Sequence, residues 1–84
     1  MRKKQIDLEL TARMLSQSRV IAKGGRIRDV RRLVAQYGGR ASQWVKKSSP
    51  RIEIDGEYYE LHWYEHPGLG RFEVKQVRIR MNRA

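Results

Sequence analysis

The chain has 84 residues, no cysteine and a formal net charge of +10, from 19 Lys and Arg against nine Asp and Glu. That length allows one domain with one modest core, and the absence of thiols excludes a disulfide framework and a thiolate zinc site. No apolar run approaches the roughly 18 residues of a membrane span, the start lacks the apolar core of a signal peptide, and the charge favours a polyanion: nucleic acid first, then an anionic membrane or an acidic protein.

In chain order, Met1 to Gln5 reads as a basic, disordered arm. Asp7 is placed to cap a helix through LELTARMLSQS, with Leu8, Ala12 and Leu15 on one stripe and Leu10 and Met14 beside it. Arg19 to Lys23 either continues that helix or runs extended into Gly24-Gly25; five residues of pattern fit both. From Arg26 the spacing of Ile27, Val30, Leu33, Val34 and Tyr37 predicts a helix that stops at Gly38-Gly39. Its polar side carries Arg26, Arg28, Arg31 and Arg32, which is either an ordinary solvated face or a stripe that contacts phosphates.

Arg40 to Lys47 reads as a strand with Trp44 in its middle, Ser48-Ser49-Pro50 as a break, and Arg51 to Asp55 as a strand with Ile52 and Ile54 inward. Asp55-Gly56 is a two-residue hairpin signal. Glu57 to Ile79 forms a second hairpin around His66-Pro67-Gly68-Leu69-Gly70. Alternation puts Tyr59, Leu61 and Trp63 on one face of its first strand and Tyr58, Glu60, His62, Tyr64 and His66 on the other. In the returning strand Phe72 and Val74 are out of phase with Val77, Ile79 and Met81, so a β-bulge or a change of face is expected near Lys75 and Gln76, unless the strand ends at Lys75. If the core aromatics of both strands face the same way, Arg71 and Lys75 join His62, Tyr64 and His66 on one surface.

The expected fold is α+β: two N-terminal helices packed on one face of an antiparallel sheet of about four strands. Its expected core is Ile27, Val30, Val34, Tyr37, Ile52, Ile54, Tyr59, Leu61, Trp63, Phe72 and Val74, with the face of Tyr58, His62 and Tyr64 left open to a ligand.

Neither Gly pair has the context of a phosphate-binding loop. His62 and His66 on one strand would stand about 13 Å apart at 3.3 Å per residue, too far to share an ion, so no metal or other cofactor is assigned. RNA cleavage through its own 2′-hydroxyl needs only a base, an acid and cations. His62 or His66, with His62 favoured, can serve as base or acid, Tyr64 or Tyr58 can position or donate, and Arg71 and Lys75 can hold the phosphate. Arg26, Arg28, Arg31, Arg32, Lys46, Lys47, Tyr58 and His66 supply the RNA-binding surface. Histidines and tyrosines on an open sheet also serve as stacking platforms without any catalysis, so a non-catalytic nucleic-acid-binding module is the alternative. A basic adaptor for an acidic protein is the third reading.

The run IRDVRRLVAQYGGRASQWVKKSS, followed by YELHWYEHPGLGRFEVK, resembles the C-terminal toxin domains of bacterial polymorphic toxins of the Rhs and contact-dependent inhibition types. The helix-and-strand layout is similar to that of the barnase, colicin-ribonuclease and mRNA-interferase superfamily. The resemblance implies a metal-independent endoribonuclease that acts in the cytoplasm, delivered there as part of a larger toxin, with an acidic immunity or antitoxin protein as partner. It matches His62, Trp63, Tyr64, Lys46, Lys47, Ser48 and Ser49 to shared positions and assigns none of them a catalytic role.

Overall fold

The computed structural model describes residues 8–80. Its spine is β4 (Glu57–His66), a ten-residue strand that pairs antiparallel from Tyr58 to His66 with β5 (Gly70–Ile79), with one irregularity between His62 and Tyr64. The other edge of β4 is shared by two short strands, β3 (Ile52–Ile54) and β2 (Val45–Ser48), and β1 (Arg19–Lys23) lies beyond β2. Between Ser48↔His62 and Ile52↔Tyr59 the chain spends four steps against three of β4. The break falls at Ser49-Pro50, where proline has no N–H for a ladder. Ser49 repairs it: its N–H donates to the Leu61 carbonyl (2.8 Å) and its hydroxyl accepts from the Leu61 N–H (2.9 Å). Asp55 and Gly56, with φ of 51° and 80°, form the two-residue turn from β3 into β4.

Partners across a ladder share a face. One face therefore carries the row Arg19, Ser48, His62, Lys75 and beside it the row Ala22, Lys46, Tyr64, Phe72. Over one end of this face lie α2 (Val30–Tyr37) and two 3-10 turns, Gly24–Arg26 and Ala41–Gln43. They bury Ile27, Val30, Leu33 and Trp44 against Ala22, Tyr64 and Phe72. Trp44 is the anchor: fully buried, it donates from Nε1 to the Gly38 carbonyl at 3.0 Å, and truncating an aromatic so placed costs about 3–5 kcal/mol. On the opposite face Leu61 and Trp63 are each 1% exposed. There the Leu8 N–H donates to Gln76, the ladder partner of Leu61, which sets the segment leading into α1 (Ala12–Ser16) on that side.

The expectation of two helices on one face of a four-stranded sheet is overturned. Among the described residues the chain is mostly a five-stranded antiparallel sheet with a single substantial helix, the eight-residue α2, besides its 3-10 turns. The first helix shrinks to the five residues of α1, capped by the Thr11 hydroxyl on the Met14 N–H at 3.1 Å. Ser16 and Ser18 close it by donating to the carbonyls of Arg13 and Leu15, and Arg19–Lys23 then takes the free edge of β2. The arm Met1 to Gln5, the expected cap Asp7, and Met81 lie outside the described residues.

The faces are corrected too. Trp44 precedes β2 instead of sitting inside a strand, Val74 is 49% exposed, and Phe72 lies under α2 and not with Trp63. For Val74 and Phe72 the cause is the bulge, one or two residues earlier than expected: β5 spends three steps from Phe72 to Lys75 against two of β4, with Glu73 at φ 58°. Among the described residues no helix is long and apolar enough to cross a membrane.

Candidate functional site: a basic cleft beside a buried carboxylate

Since α2 covers only one end of its face, a cleft of about 680 Å³ opens between Arg28-Asp29, just before the helix, and the strands. Lys46, His62, Tyr64, Lys75 and Val77 line it, with Glu73 and Val74 of the bulge. Its carboxylates are already engaged. Glu73 receives two hydrogen bonds from Arg32 (2.9 and 2.8 Å) and one from the Tyr37 hydroxyl (2.7 Å), and these hold its carboxyl down at about 2. Asp29 pairs with Arg32 at 3.5 Å and accepts from the Tyr64 hydroxyl at 3.3 Å. Burial, and then Asp29, push the Tyr64 phenol above its ordinary value, so it keeps its proton. Arg28, Lys46 and Lys75 give the cleft its positive sign.

His62 sits at the side of this cleft with its side chain 18% exposed. Its Nε2 lies 2.9 Å from Oε1 of Glu60, which stands two residues away on the same face and is 5% exposed. Glu60 also accepts from Arg19 (3.2 Å) and from the Ser48 hydroxyl (3.1 Å). Burial alone would raise its carboxyl; the hydrogen bonds from His62, Arg19 and Ser48 and the Arg19 charge outweigh that and hold it below the ordinary range. A carboxylate can only accept, so the His62 proton on this side belongs to Nε2. Nδ1 has no partner among the described residues.

The structure brings together His62, Tyr64, Lys75, Lys46 and Arg28 from the residues singled out by sequence. The others lie elsewhere. Arg71 pairs across the ladder with Glu65, separated from Lys75 by the bulge. Lys47 is on the opposite face, 3.2 Å from Glu65. Arg32 is tied to Glu73, Arg26 and Arg31 are exposed away from the cleft lining, and Tyr58 is at the far end of β4 between Glu53 and Ile79. His66 is buried: its Nδ1 accepts from the Gly68 N–H at 3.0 Å, which leaves Nε2 to donate to Gln43 at 3.1 Å, and its ring meets Trp44 edge-on. Glu60 was visible in the sequence only as one more residue on the His62 face; the i, i+2 spacing on a strand was the signal. Arg19 gave none, because its partner is 41 positions away.

Compared with known proteins, the chain matches no family model, no curated protein and no solved structure.

Proposed function

We propose that the chain binds single-stranded RNA in the basic cleft and cuts it as a metal-independent endoribonuclease of toxin type, acting in a cytoplasm and countered there by an acidic immunity or antitoxin protein. The observation that carries this reading is the Glu60–His62 pair, in which a buried carboxylate fixes the imidazole on one nitrogen and leaves the other for a substrate proton. A positioned imidazole of this kind is suited to general base catalysis. His62 Nδ1 takes the proton of the 2′-hydroxyl, the 2′-oxygen bonds to phosphorus, and the bond to the 5′-oxygen breaks. That leaving oxygen takes a proton from Tyr64, whose long bond to Asp29 a substrate can displace. Lys46, Lys75 and Arg28 face the charge that builds on the phosphate.

The test is incubation of the purified protein with end-labelled RNA in chelator. Products should end in a 2′,3′-cyclic phosphate, and His62→Ala should cut about 100-fold or more slowly with nearly unchanged RNA affinity. Glu60→Gln should lose on the order of 10- to 100-fold, as expected when the group that orients a histidine is removed. DNA and 2′-O-methyl RNA should be bound and left intact. Cleavage of DNA, or an unimpaired His62→Ala, would sink the mechanism; binding without any cleavage would leave a non-catalytic module.

A further inference from the structure

The face that holds His62 has a direction. Its row of ladder partners runs Arg19, Ser48, His62, Lys75, from β1 across β2 and β4 to β5. Three strand spacings separate the ends, on the order of 14 Å. Lys75 stands in the cleft on one side of His62. On the other side the Arg19 guanidinium and the His62 ring bond the two oxygens of one carboxylate, Oε2 and Oε1 of Glu60. Arg19 is still 55% exposed and uses one N–H on Glu60 and one on the Ser49 carbonyl; a guanidinium has five donors. The remaining ones are available at the surface beside the proposed general base.

We infer that Arg19 is a second phosphate subsite, and that RNA lies across the strands with one phosphate at Lys75 and His62 and the next at Arg19. This rests on the ribonuclease reading and extends it to a substrate class: a single-stranded chain of three or more nucleotides, in preference to a dinucleotide. A chain running along the strands toward Phe72 instead would leave the cleft on the side away from Glu60 and Arg19.

Two measurements test it. The first compares cleavage of a dinucleotide with that of a tetranucleotide. Wild type should favour the longer substrate on the order of tenfold in kcat/KM, the worth of one charge-assisted phosphate contact. In Arg19→Gln that preference should collapse toward one, whatever the absolute rates, and in Arg19→Lys it should largely return. A residue that only positioned Glu60 would slow both substrates alike and keep the preference. The second measures wild-type binding of uncleavable 2′-O-methyl oligonucleotides carrying one, two or three phosphates. The salt slope should steepen by about 0.7 as the second phosphate is added, a readout that does not depend on any variant folding. A preference absent in wild type, or retained in Arg19→Gln, overturns the subsite and leaves the ribonuclease reading intact. Length-dependent binding without cleavage supports the subsite and removes the ribonuclease; no binding at all removes both.

Discussion

Gly39 shows how one residue ties the helix end to the hairpin. Its φ is +77°, and a Cβ there would run into the imidazole of His66, which Gln43, Gly68 and Trp44 already hold in place. Gly38 also has a positive φ, +97°, but a Cβ there meets open space. Gly38→Ala therefore tests backbone strain alone, about 1–3 kcal/mol at a φ of 97° and ψ of −163° that is open essentially only to glycine. Gly39→Ala adds a displaced buried ring, so it should cost about 2 kcal/mol or more in urea denaturation. A Gly39→Ala variant as stable as the wild type would refute the contact. The two histidines of the chain illustrate the same point about environment. In His66 both ring nitrogens are taken by the protein, whereas the Nδ1 of His62 has no partner among the described residues.

At the level of elements, the bulge in β5 decides most of the site. A one-residue change of register turns every later side chain to the other face, so Lys75 reaches His62 while Arg71 does not. Sequence alternation signalled the phase break between Val74 and Val77 but could not say which half of the strand met which face. The turn at Asp55-Gly56 and the helix stop at Gly38 were legible because nearest neighbours dictate them. Trp44 was not, since its burial depends on Gly38, Phe72 and His66. What locks the bulge to α2 is Glu73, with hydrogen bonds first from Arg32 and then from Tyr37 that depress its carboxyl from 4.5 to about 2. A depressed folded value means that the unfolded chain binds the proton more readily. The stabilisation is thus present above about pH 4.5 and is lost as the pH falls through about 2. Melting temperature should drop over that acid window, and Glu73→Gln should flatten the drop. Glu60 and Glu65, also held below the ordinary range, keep it from vanishing. An identical acid profile for Glu73→Gln would show that this latch contributes nothing.

For the molecule as a whole, a charge of +10 on 84 residues sets two opposing responses to salt. Uncompensated like charge pushes the folded state apart, and added ions screen it. Salt also weakens ion pairs; exposed ones such as Arg78 with Glu57 contribute at most about 1 kcal/mol each, and those on the buried Glu60 are screened less. Relief of repulsion should outweigh their loss. Raising salt from about 0.01 to 1 M shortens the screening distance from about 30 to about 3 Å, and the melting temperature should rise over that range. RNA affinity should fall over the same range, by about 0.7 in logarithmic slope for every phosphate neutralised. The two curves report different charges: the first sums the whole surface, the second only the groups that touch RNA. Arg28→Gln, at the cleft, should therefore lower the binding slope, whereas Arg31→Gln, on the exposed side of α2, should change only the melting curve. A melting temperature that falls with salt would show that ion pairs outweigh the repulsion, and equal effects of the two substitutions on the binding slope would show that the cleft does not collect the charge that binds.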